Sequence, residues 1–66
     1  MKLLDTVALT TDLPEENLSR GQVGTLVEEL APDVYLVEFS DNQGRTYALL
    51  PLEVQQLLPL KYARVA

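Results

Sequence analysis

The side chains in this 66-residue chain that could do chemistry are few and poorly matched to one another. There is no His and no Cys, so the commonest acid-base group near neutral pH and the thiol nucleophile are both missing. Carboxylates can take over acid-base work only where burial or a like charge raises their pKa. Glu28 and Glu29 are neighbours on an expected strand, so they point to opposite faces and cannot converge. They read as solvated or surface-paired groups. Asp41, Asn42 and Gly44 have the flavour of a calcium loop, but no bidentate Glu follows at the twelve-residue spacing, and turn chemistry accounts for them better. Gly21 and Gly24 lack the Lys-Ser/Thr that would complete a phosphate loop. Ser19, Ser40 and the threonines have no visible base. A structural zinc site is not expected without His or Cys. The expectation is a protein that is not an enzyme and carries no cofactor.

Recognition chemistry is better represented. Arg20 and Arg45 each sit beside an expected turn, and Arg and Tyr are the residues most enriched at binding hot spots. The plainer reading pairs each Arg with a neighbouring acid at the surface, an interaction that is nearly neutral energetically. Leucines are in excess. Leu36 lies opposite the core parity of its strand, and together with some of Leu49, Leu50, Leu52, Leu57, Leu58 and Leu60 it offers more apolar surface than a small barrel encloses. Tyr47 and Tyr62 add amphipathic area suited to interfaces. Two readings stay open: these side chains form an exposed interface, or the C-terminal segment folds over a barrel end and enlarges the core. The candidate partner-binding residues are Arg20, Leu36, Arg45, Tyr47, Leu52, Leu58 and Tyr62.

Charge narrows the partner. Ten acidic and five basic residues give a net charge of −5, which weighs against nucleic acids, whose affinity for proteins comes largely from Lys and Arg, and against anionic membrane surfaces. A basic protein is the complementary partner, and a second copy of the chain is another way to hide the leucines. No apolar run reaches signal-peptide or membrane-spanning length, so a cytoplasmic location is expected. The length allows one domain, residues 1–66, with 62–66 as a tail. A chain this short buries only about 60% of its unfolded surface, yet an apolar fraction of 47% is that of a folded protein.

The elements that must position these groups are strands. Tyr35, Val37 and Phe39 alternate with Leu36, Glu38 and Ser40, the period of a half-buried strand. Asp41 to Gly44 then form a turn, and residues 45–50 return as a strand. Upstream, Ala31, Pro32 and Asp33 mark a second turn after a strand over 22–30. That strand shows no wholly apolar parity, so it must bend or bulge, and Gly24 is the expected place. Residues 3–10 read as the first strand, with Val7 and Leu9 inward. Residues 11–19 read as a loop with room for one helical turn capped by Asp12, with Glu15 at its third position. Pro51 suits the first turn of a short helix over 51–55, Pro59 excludes a longer one, and 56–60 is the last strand. The expected core is Val7, Leu9, Val23, Leu26, Tyr35, Val37 and Phe39. This order is that of an all-β, SH3-like barrel of about five strands with one short helical turn near the C-terminus.

The run RGQVGTLVEEL with YLVEF, a Gly-containing turn and YALLPLEVQQLLPL resembles a family of small uncharacterised bacterial proteins, common in cyanobacteria, with an SH3-like fold. The resemblance covers nearly the whole chain and implies fold more firmly than activity. Members of that family resemble the small partners of paired bacterial gene modules, which implies an antitoxin-like role. More distantly the pattern resembles the variable chain of ferredoxin-thioredoxin reductase. It also resembles the KOW motif of ribosomal and transcription proteins, through Gly21, Gly24 and Leu26. The KOW likeness implies a nucleic-acid-associated alternative that would use Arg20, Arg45, Lys61 and Arg64.

Overall fold

The computed structural model describes residues 1–60. Five antiparallel strands form one sheet in the order β4-β3-β2-β1-β5: β1 (Thr6–Leu9), β2 (Val23–Ala31), β3 (Val34–Ser40), β4 (Thr46–Glu53) and β5 (Leu57–Pro59). Two 3-10 turns, Pro14–Glu16 and Val54–Gln56, are the only helical pieces among the described residues. The fold is therefore all-β, and the sheet is short-stranded, bulged and barrel-like, as the alternating pattern implies. The expected tail and Tyr62 lie outside the described residues.

Alternation on β3 works as read: Tyr35, Val37 and Phe39 are buried while Leu36 and Glu38 face outward and are half-buried. The core also contains Val7, Leu9 and Leu26, and adds Leu18, Leu52 and Leu57. Val23 departs from expectation. It is 44% exposed, because it pairs with Ala8 on the outward parity while Gly24, opposite Val7, takes the inward one.

The bend in β2 lies elsewhere than at Gly24. The register with β3 shifts between Leu26 and Glu28, and again between Glu29 and Ala31, so Val27 and Leu30 are the extra residues. The first shift explains the mixed parity of the sequence: Leu26 is aligned with buried Val37, whereas Glu28 is aligned with Leu36 on the outside and Glu29 with Tyr35. Gly24 serves close packing instead. A Cβ there would meet the Glu38 carbonyl oxygen at 2.8 Å and the Phe39 ring at 2.9 Å.

Two local expectations are corrected. Pro51 is not in a helical turn but within β4, opposite Leu36. An outermost strand tolerates it because an amide facing away from the sheet has no partner to lose. The turn begins three residues later, where Glu53 and Gln56 form a reciprocal capping box, with the Glu53 N–H donating to Gln56 Oε1 at 2.8 Å. Asp12 does not cap the first turn, which starts from Leu13 without a side-chain cap. Asp12 Oδ1 instead accepts the Arg20 N–H at 2.8 Å, tying the two ends of the β1–β2 loop together. Leu18 anchors that loop in the core.

The N-terminal segment closes one side. Leu4 N–H donates to the Leu26 carbonyl at 2.7 Å and Leu26 N–H to the Asp5 carbonyl at 3.0 Å, while the Tyr35 hydroxyl donates to the Met1 carbonyl at 3.2 Å.

Candidate interaction surface

Register places three rows of side chains on the outer face of β2, β3 and β4. Thr25, Glu38 and Leu49 form one row; Glu28, Leu36 and Pro51 the next; Ala31, Val34 and Glu53 the third. Strand alternation fixes those of β3 and β4 on one side, and the two register shifts in β2 bring Thr25, Glu28 and Ala31 to that side as well. Five of the nine are apolar, three are Glu, and none is Lys or Arg. Leu49 is 55% exposed, Pro51 is exposed, and Leu36 and Val34 are half-buried. The Glu38 carboxylate accepts from the Thr46 hydroxyl at 2.5 Å. That of Glu53 accepts from the Gln55 amide at 3.1 Å. Neither these two glutamates nor Glu28 forms an ion pair among the described residues.

The expected partner-binding residues do not form one cluster. Leu36 lies at the middle of this face. Leu52, expected on the surface, is only 4% exposed: it aligns with Tyr35 on the inward parity of β4 and belongs to the core. Leu58 is exposed, but on the outside of β5 beside Ala8. Part of the leucine excess is thus core, and part is surface in two separate places.

Arg45 is held within its own turn. Its Nε donates to Asp41 Oδ2 at 3.1 Å and its Nη2 to Gln43 Oε1 at 2.6 Å. Asp41 organises that turn, because its Oδ1 also accepts the backbone N–H groups of Gln43 at 2.9 Å and Arg45 at 3.0 Å. The Arg45 amide, then the Gln43 amide and the Arg45 guanidinium, hold the Asp41 carboxyl below the usual aspartate range. Arg20 is exposed beside Gly21, which takes φ +93°. Tyr47 accepts a hydrogen bond from the Gln22 amide at 3.1 Å, and its ring centroid is 6.4 Å from that of Phe39. Of the four cations in the nucleic-acid alternative, Arg45 is thus engaged by its turn, and Lys61 and Arg64 lie outside the described residues.

Glu28, Glu38 and Glu53 escaped the sequence reading as a set, because their grouping depends on the β2 bulge at Val27. The alternation of Glu38 with Leu36 on the outward parity was the signal available. Among the described residues, no three His, Cys, Asp or Glu side chains are grouped so as to hold a metal ion, and no helix is long and apolar enough to cross a membrane.

Neither a search of curated proteins nor a search of solved structures returned a match. A family model described as a domain of unknown function (DUF4926) matches residues 3–59, nearly the whole of this small sheet, and the chain belongs to that family.

Proposed function

We propose that this protein is a non-catalytic interaction module, built on an SH3-like barrel, that binds a basic segment of another protein through the outer face of β2, β3 and β4. The observation that carries the reading is the composition of that face: Leu36, Leu49 and Pro51 stand among Glu28, Glu38 and Glu53 with no cation between them. Apolar contact would supply affinity as half-exposed leucines leave water, at roughly 25 cal/mol per Å² of apolar surface covered. The three carboxylates would supply orientation and encounter rate, since complementary fields steer association and reject acidic partners. A segment alternating Lys or Arg with apolar residues fits both demands. The net charge of −5 supports the same sign of partner, and a small acidic subunit or the antitoxin-like role implied by the family resemblance would use the face in the same way.

Affinity capture from an extract of the source organism tests the proposal, using the parent, Glu28→Lys and Leu49→Glu. Both side chains are exposed, so neither change should disturb folding. A basic protein held by the parent at low salt, weakened by high salt and lost from both variants, is the expected result. Identical captured proteins for parent and variants would overturn the assignment of this face.

A further inference from the structure

The β1–β2 loop borders a cleft that the interaction surface does not use. Asp12, Pro14, Asn17, Leu18 and Ser19 line it, and its volume of about 440 Å³ falls within the roughly 300–1,000 Å³ of small-ligand sites. The loop is held in shape from within. Leu13 and Leu18 exchange backbone hydrogen bonds of 2.8 and 3.1 Å, the Asn17 N–H donates to the Pro14 carbonyl at 3.1 Å, and the Arg20 N–H is tied to Asp12 Oδ1. Leu18, 2% exposed, roots the cleft in the core and gives it an apolar floor. The Ser19 N–H donates to Gln22 Oε1, which leaves the hydroxyl of Ser19 unused. Asp12 Oδ2 and the Asn17 amide are likewise without a hydrogen-bond partner among the described residues.

We propose that this cleft binds a primary ammonium group carried on a short aliphatic stem. Three acceptors, the free Asp12 oxygen, the Asn17 carbonyl and the Ser19 hydroxyl, answer the three N–H donors of an ammonium, while Leu18 and Pro14 take the methylene stem. Asp12 is the one charged residue among the five that line the cleft, and it supplies the counter-charge. Glu15 and Glu16, on the turn between Pro14 and Asn17, add to the negative field. Arg20 is the single base of this loop; its backbone N–H engages Asp12, but its guanidinium neither lines the cleft nor pairs with that carboxylate. No three acidic side chains gather there to hold a metal ion, and an anion would face the carboxylate. Because the loop is braced before a ligand arrives, little ordering is lost on binding. The cleft is open to solvent and its charge is hydrated, so affinity is roughly millimolar. Glu28, Glu38 and Glu53 take no part, so the inference does not depend on the proposed function.

Titration of isotope-labelled protein with n-butylammonium chloride, followed through the backbone amide shifts, reads the binding directly. Saturable shifts centred on the β1–β2 loop are expected, and neither n-butanol nor sodium chloride at matched ionic strength should reproduce them. Asp12→Asn keeps an oxygen for the Arg20 N–H but removes the charge, and should weaken binding about tenfold. Asn17→Gly keeps the left-handed backbone at φ 57° and should weaken it severalfold, as should Ser19→Ala. The dispersion of the amide shifts verifies that each variant is folded, and three separate positions keep the test alive if one is not. Nα-acetyl-lysine N-methylamide distinguishes the sources of the ammonium: binding comparable to butylammonium assigns the cleft to a lysine of another protein, and binding of butylammonium alone assigns it to a free amine. Absence of saturable shifts in the loop overturns the inference. So do equal shifts with n-butanol, or an affinity that Asp12→Asn leaves unchanged.

Discussion

Gly24 and Phe39 are packed against each other with no room for a methyl group: a Cβ on Gly24 would stand 2.9 Å from Cε1 of the Phe39 ring. The same Cβ would also meet the Glu38 carbonyl oxygen at 2.8 Å, and that atom belongs to the neighbouring strand and cannot rotate away. The largest fully buried side chain thus rests directly on backbone. Gly24→Ala should destabilise the fold by about 1–3 kcal/mol through overpacking, which in a domain this small lowers Tm by at least about 4 °C. A thermal melt with an unchanged midpoint would mean the two strands separate more freely than this packing allows.

The two kinds of surplus leucine should separate in a urea titration. Leu52 is in the core beside Tyr35, so Leu52→Ala should cost about 2–5 kcal/mol. Leu58→Ala should change stability by no more than about 0.5 kcal/mol, as exposed substitutions do. Equal midpoints for the two variants would contradict the inward facing of Leu52 and the outward facing of Leu58.

Asp41 should give the turn between β3 and β4 a pH dependence. Its folded pKa is depressed, chiefly by the Arg45 and Gln43 amides. The stabilisation is therefore present above the unfolded aspartate value of about 3.9 and is lost as pH falls through the lower folded value. The stability gap between parent and Asp41→Asn should be widest near neutrality and shrink on acidification below about pH 4. Urea midpoints across the acid range check this, and a gap that grows toward low pH would reverse the assigned sign.

Leu4 should be improvable. It sits at φ +71° in the turn closed by the Asp5 N–H on the Lys2 carbonyl at 3.1 Å, and it is 76% exposed. A left-handed backbone costs an L-residue about 1–2 kcal/mol, whereas Gly accepts it at an unfolded-state entropy cost of about 0.5–1 kcal/mol. Leu4→Gly should raise stability by about 0–1.5 kcal/mol, the balance of those two terms, visible as a higher Tm. A lower Tm would show that the leucine side chain makes contacts worth more than the backbone strain.

What could be read from sequence follows from how local each determinant is. The period of two at Tyr35, Val37 and Phe39 is written in consecutive residues, and so are the turn signals at Asp33 and Gly44, which take φ +66° and +80°. The facing of Val23 and the grouping of Glu28 with Leu36 depend on which residue of β2 is squeezed out of register. That choice is made by packing against β3, and Val27 carries no local mark of it. Pro51 misled in the same way: its fixed φ suits a helix start and an outermost strand equally, and only the pairing with Leu36 decides between them. The outward facing of Leu36 was legible from the alternation of its own strand, but the division of the sheet's outer face into an acidic flank and an uncharged one required the strand order.

The two outermost strands of the sheet each carry a proline, Pro51 in β4 and Pro59 in β5. The β4 segment Thr-Tyr-Ala-Leu-Leu-Pro-Leu-Glu is apolar and uncharged up to Glu53, traits of an aggregation-prone edge, and that ring interrupts it. Proline at an edge removes the donor a further strand would need. Without interrupting the pairing inside the sheet, the same two residues thus guard its edges against open-ended, fibril-like growth.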